Sequence, residues 1–114
     1  MTSSVHETIA VDLDLIDVYK DLHSHPELGF HEDRTSKIVE KHLHVLGFDI
    51  TTGVGTTGVV GVLKNGAGPT ALLRADMDAL PVREETGLDY ASTVTTTDDQ
   101  GKSVPVSHAC GHDL

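Results

Sequence analysis

The stretch from Gly47 to Pro69, GFDITTGVGTTGVVGVLKNGAGP, limits the fold more than any other part of this 114-residue chain. FDITT and GVVGVLKN are rich in β-branched residues, which suit the pleated, extended backbone. The glycines of GVGTTG stand between them, and NGAGP follows as a tight turn. Two extended runs joined this closely form a hairpin-like connection, so a sheet is expected here. GVGTTG also spells G-x-G-x-x-G, with Asp76 and Asp78 about 20 residues on, where a dinucleotide site carries its ribose-binding acid. Such a site needs its last glycine to open a helix whose N-terminus holds the pyrophosphate. VVGVLKN is strand-like instead, and nucleotide binding is rejected.

The flanking segments set the rest of the architecture. In TIAVDLDLIDVYKDL, residues 8–22, Ile9, Leu13 and Ile16 with Leu15, Tyr19 and Leu22 follow helical spacing. Val11 to Leu15 also alternates like a strand, but the length and the lack of Gly or Pro favour a helix. Pro26 stops it, because the residue before proline avoids the helical region. Asp33 or Thr35 can cap a second helix that carries Ile38, Val39, Leu43 and Leu46 toward a core and ends at Gly47. Further on, TALLRADMD reads as a strand that turns polar at its end. LDYASTV and KSVPVSHA read as short strands around the polar loop TTTDDQG. Two helices and then several strands, without repeats, predict an α/β fold: a mixed sheet layered with helices.

Composition narrows the partners. The chain has no Trp, two Phe and two Tyr, so any core is aliphatic. Eighteen acidic against eight basic residues give a net charge of −10, which repels nucleic acid and anionic membranes. No basic leader with an apolar run and no stretch of about 18 apolar residues is found. The one cysteine, Cys110, has no partner for an internal disulfide and suits a reducing compartment. A cytoplasmic protein is expected.

Two short motifs fail on spacing. GKS at residues 101–103 lacks the glycine of a phosphate loop, since Thr96 stands in its place and Pro105 follows. HSH at residues 23–25 matches a metal signature of barrel hydrolases. It follows a helix and runs into Pro26, and a barrel needs about 250 residues. Its histidines are expected to hydrogen-bond locally at a helix end.

Two other constellations remain. Asp76 and Asp78 lie two apart at the end of a strand, so both carboxylates share a face. Two like charges that close need a cation or a shared proton, although a solvated turn accounts for the pattern equally well. In HACGHD, Cys110 and His112 are separated by one glycine and can both reach one ion, with His108 as a further donor. Zinc takes a thiolate at ~2.3 Å and an imidazole at ~2.0–2.1 Å. For a bare C-x-H pair a frayed terminus with an idle thiol is the favoured reading.

Taken in order, HSHPELGFHEDRTS, GVGTTGVVGVLKNGAGP, LLRADMDALPVREETGLDYAS and HACGHD resemble one family. It comprises the metal-dependent amidohydrolases that include hippurate hydrolase, N-acyl-amino-acid amidohydrolases and indole-acetyl-amino-acid hydrolases, within the aminoacylase and carboxypeptidase group of zinc exopeptidases. The resemblance runs from about Tyr19 to Leu114. It implies that Cys110 and His112 are ligands of a centre of two divalent metals, with zinc or manganese expected and cobalt or nickel as alternatives. In more distant relatives the strand end carries H-x-D, whose aspartate supports a metal histidine. Asp78 matches that aspartate, whereas Asp76 stands where the histidine would be and departs from the pattern. The resemblance assigns no catalytic role to His23, His25 or Glu27. It implies cleavage of the amide bond of small N-acyl amino acids. The family's glutamate base, its remaining ligands and its lid domain, which mediates dimerisation, lie downstream of HACGHD. Residues 1–114 are therefore expected to be the incomplete N-terminal part of a catalytic domain, inactive alone. The alternative is a non-catalytic module that binds metal weakly or joins a complementary chain.

Overall fold

The computed structural model describes residues 14–114. Its elements in chain order are α1 (Leu15–Ser24), α2 (Asp33–Val45), β1 (Asp49–Val54), β2 (Gly58–Val62), β3 (Thr95–Thr97) and β4 (Ser103–Pro105). Asp14 caps α1, its carboxylate accepting from the backbone N–H groups of Ile16 and Asp17 at 3.1 and 3.2 Å. The helix stops two residues before Pro26, as expected. The part of the predicted helix before Asp14, with Ile9 and Leu13, lies outside the described residues. Leu15 and Ile16 are 70% and 66% exposed, and the residue that α1 buries is His23.

The start of α2 departs from the expected cap. Glu32 occupies the capping position and makes no side-chain cap bond, while Asp33 already lies in the first turn. The free N–H groups are satisfied from outside the helix. Glu27 accepts from the backbone of Arg34 at 2.9 Å and of Thr35 at 2.7 Å, and also from the Thr35 hydroxyl at 2.7 Å. A carboxylate at this end also meets the positive pole of the helix. Neither Asp33 nor Thr35 needs to cap, because Glu27 of HPEL has taken that place.

The other end of α2 agrees with its sequence. Gly47 has φ +84°, and the Gly47 and Phe48 N–H groups donate to His44 and Leu43 at 3.0 and 3.1 Å, closing a Schellman turn. This turn aims the chain straight into β1. β1 and β2 form the antiparallel hairpin read from the sequence, with an irregularity between Thr52 and Val54. A Cβ on Gly58 would collide with the Val54 carbonyl, so the glycine closes the turn. Gly61 lies under Phe48 and Leu43, where an added Cβ would sit 3.0 and 3.1 Å from their side chains. The hairpin turn docks on α2: the Thr57 hydroxyl donates to Glu32 at 2.6 Å, and the Ser36 hydroxyl donates to the Thr57 carbonyl.

The later strands are shorter than expected. β3 is TTT itself, residues assigned above to a loop, and it pairs antiparallel with β4. Asp98 makes this possible by tightening the turn, its carboxylate accepting from Gln100 and Lys102 at 3.0 and 2.8 Å. TALLRADMD forms no strand, because none of the described strands pairs with it; Leu72 and Leu73 are 85% and 98% exposed. In place of one mixed sheet there are two antiparallel pairs and two single bridges, Leu28 with Ala79 (parallel) and Leu80 with Ser107 (antiparallel). The α/β class holds. The buried apolar residues are Ala79, Val104 and Val106, accompanied by buried His23, Glu32, Thr35, Ser107 and Asp113.

Candidate metal centre

The bridges bring three distant segments side by side. Ala79 N–H donates to the Glu27 carbonyl at 2.8 Å, tying DALP to HPEL. Leu80 and Ser107 exchange both backbone hydrogen bonds at 3.0 Å, and the Ser107 hydroxyl donates to the Val82 carbonyl at 2.7 Å. HACGHD therefore starts from a fixed point beside Asp78. It then turns at Gly111, which has φ +75°, and Leu114 N–H donates to the Gly111 carbonyl at 3.2 Å.

This turn places His112 against Asp78. His112 Nδ1–H donates to Asp78 Oδ1 at 2.9 Å and to the Asp78 carbonyl at 3.0 Å. Its Nε2 lies 4.0 Å from Asp76 Oδ2, too far for a hydrogen bond, while Arg74 holds the other Asp76 oxygen at 2.7 Å. Both carboxylates do face one histidine, as the two-residue spacing suggested, although the segment is not a paired strand. Partial burial pushes the His112 pKa down, but the hydrogen bond to Asp78, its backbone carbonyl and the charges of Asp78 and Asp76 outweigh it, and the net direction is up.

The donor chemistry fits a divalent metal. With Nδ1–H committed to Asp78, the neutral ring presents the Nε2 lone pair outward, the carboxylate–histidine arrangement common to metal ligands. Cys110, two residues away, is a free and exposed thiol, and a thiolate with an imidazole suits zinc and related ions. Among the described residues no group of three or more His, Cys, Asp or Glu side chains is arranged to hold a metal ion, so Cys110 and His112 would form only part of a cage.

His108 behaves differently from its neighbours. Both ring nitrogens are buried without a hydrogen-bond partner. Burial holds its pKa down, the charge of Asp113 opposes this, and His23 and His112 reinforce it, so the ring stays neutral.

His23 is the residue that sequence reasoning missed. The expectation of local bonding holds for His25, whose Nδ1–H donates to the Asp21 carbonyl at 2.8 Å. It fails for His23, because that ring is turned inward. His23 Nδ1–H donates to Asp113 Oδ2 at 2.6 Å, and Nε2–H donates to Glu84 Oε1. Burial lowers its pKa, but the two carboxylates raise it further, and the net direction is up. Glu84 also accepts from Ser92 N–H, whose hydroxyl donates to the Val106 carbonyl at 2.6 Å. The signal available in the sequence was a histidine in one phrase with unpaired acids in two others. No local spacing rule connects them.

No family model matches the chain. Hippurate hydrolase of Campylobacter jejuni is 47% identical over 93 residues, covering 81% of this chain and 22% of that protein. Thermostable carboxypeptidase 1 of Saccharolobus solfataricus is 44% identical over 101 residues, 87% of this chain and 23% of that protein. A Rhodococcus jostii protein carrying a glutamate–cysteine ligase name is 42% identical over 98% of this chain, which covers only 13% of it. Among solved structures, the YXEP protein of Bacillus subtilis, a dinuclear metal-binding peptidase of the M20 family, superposes with a TM-score of 0.71 at 39% identity. That match covers 87% of this chain and 26% of the other. The chain thus spans about a quarter or less of the relatives it matches. Within that span sequence and fold agree, and the chain corresponds to part of a protein of the M20 peptidase family.

Proposed function

We propose that this chain supplies Cys110 and His112 as ligands, and Asp78 as the residue that orients His112, in a two-metal centre that hydrolyses the amide bond of N-acyl amino acids. The observation that carries this reading is the His112–Asp78 hydrogen bond at 2.9 Å, which leaves Nε2 free for an ion. A thiolate with an imidazole suits zinc; manganese, with cobalt and nickel as alternatives, is carried from the family resemblance. When bound, such ions lower the pKa of water and polarise the scissile carbonyl. Asp78 keeps the His112 ring in the correct tautomer and adds negative charge behind it. Cys110 contributes a thiolate, which suits a reducing compartment such as the cytoplasm. The general base and the remaining ligands are not among these residues, so the 114-residue chain alone does not turn over substrate. The small substrate and a homodimeric assembly are carried from the family resemblance.

A second reading has its own support. Leu72 and Leu73 stand exposed on an unpaired extended segment. An open, largely apolar hollow of about 520 Å³ lies between Tyr19, Leu22, Val39 and Met77 beside His112. Such surfaces favour a module that associates with a complementary chain.

One experiment separates the two readings. Zinc content and hippurate hydrolysis are measured for the 114-residue chain and its Cys110→Ser variant. The hydrolase reading expects bound zinc that falls in the variant, with no turnover by either. Full zinc occupancy in Cys110→Ser contradicts the ligand role of the thiol, and turnover by the chain alone contradicts the need for residues beyond these 114.

A further inference from the structure

We infer that His23 is a positioning residue for the metal centre, fixing the turn that carries His112 by holding its neighbour Asp113. The inference rests on the reading of Cys110 and His112 as ligands and deepens it.

The geometry gives His112 two anchors. Its own ring is tied to Asp78 on one side. On the other, the next residue, Asp113, is tied to His23 Nδ1–H at 2.6 Å, and both partners are buried. The turn between them is only Gly111 to Leu114, so a displacement of Asp113 reaches His112 through a single peptide unit. The ring of His23 is itself locked from several directions. Glu84 accepts from Nε2–H, and the rings of Tyr19 and Tyr90 pack at 5.5 and 5.4 Å. Glu84 is in turn braced through Ser92 to Val106, the most fully buried side chain of the core. One imidazole thus joins HSHPE, LPVREETG and HACGHD.

Charge explains why the residue is a histidine. Glu84 and Asp113 carry two buried carboxylates toward one point, and like charges there repel unless a cation lies between them. A doubly protonated imidazole supplies one positive charge and two N–H donors in opposite directions. Without it, Asp113 has both a lost partner and a repelling neighbour, and the turn bearing His112 is released. His25, in the same phrase, faces outward and bonds only to its own helix.

The test is a cobalt(II) titration of the 114-residue chain, following the thiolate-to-cobalt charge-transfer absorption, with circular dichroism to report folding. In His23→Gln the affinity is expected to fall about tenfold or more, in the range set by residues that support metal ligands. His25→Ala is expected to leave it unchanged. Adding Glu84→Gln to His23→Gln removes one buried negative charge and is expected to recover part of the loss, a recovery that lost packing alone would not produce. Absence of the cobalt band in the unmutated chain overturns the ligand reading. A normal band there, with equal affinity in folded His23→Gln, overturns the positioning role and leaves the ligand reading standing. Where His23→Gln does not fold, Asp113→Ala removes the acceptor, cuts the same link and leaves His23 paired with Glu84. Weakened cobalt binding in that variant supports the inference, and unchanged binding overturns it.

Discussion

The α2–hairpin unit, residues 33–62, and the candidate-site side of the molecule are built on opposite principles. In the first, neighbours in sequence are neighbours in space. α2 runs through its Schellman turn into β1, β1 folds back on β2, and Phe48 and Leu43 close over Gly61. In the second, the decisive contacts are polar and join residues far apart: His23 with Glu84 and Asp113, His112 with Asp78, and Leu80 with Ser107. Backbone pairing and apolar packing specify a shape at little risk. Buried charges are costly unless every partner is in place, which makes them a means of fixing a few atoms rather than of adding stability.

The sharpest way to break this comparison is to remove the charge at the centre of the polar side. His23→Ala leaves Glu84 and Asp113 buried and opposed, and is expected to cost about 3–5 kcal/mol in urea unfolding, the usual penalty for stripping one partner from a buried ion pair. A loss below about 1 kcal/mol would show that the triad is not holding the fold. The same group gives a pH dependence. The carboxylates of Glu84 and Asp113 raise the folded-state pKa of His23 above its ordinary 6.5, against the effect of burial. Its contribution is therefore fully present below about 6.5 and is lost as pH rises through the raised value. Tyr19, which packs on the ring, has its pKa raised above the ordinary value, chiefly by burial, and stays neutral across that window. Stability that rises with pH above neutrality would contradict the assignment.

On the hairpin side the effects are smaller and steric. Gly61→Val forces atoms into the space held by Phe48 and Leu43 and is expected to cost about 1–3 kcal/mol, with no change in cobalt affinity. A matching loss of metal binding would show that the two regions are not independent. The smallest effect is expected from Glu27→Ala, which uncaps α2 at its first turn at a cost of about 0.5–2 kcal/mol. Glu27→Gln would keep an acceptor for the same N–H groups and is expected to recover most of that loss.

The two sides also differed in how far the residues could be read beforehand. The hairpin and the stop at Gly47 were legible because turn chemistry and β-branching act over a few residues. The Asp76–Asp78 pair was legible as two carboxylates on one side; the ligand roles of Cys110 and His112 are read from the family phrases and belong to the proposal. Four features were not legible, for one shared reason: each is decided by contacts, made or missing, outside its own segment. Glu27 replaces the expected cap from outside the helix. TALLRADMD has strand-like composition but none of the described strands pairs with it. TTT becomes a strand because Ser103–Pro105 lies beside it. His23 is an ordinary helix-end histidine until Asp113 arrives from 90 residues away. Periodicity and capping rules contain no term for such contacts.

The central claim is that Asp78 sets the tautomer of His112 and leaves Nε2 to an ion. It is tested most directly by the ring ¹⁵N spectrum of His112, recorded with and without zinc on the alkaline side of its raised pKa. The account predicts a proton on Nδ1 before zinc is added, and a displaced Nε2 resonance afterwards that is lost in Asp78→Ala. A proton on Nε2, or an Nε2 signal that zinc leaves in place, would contradict it.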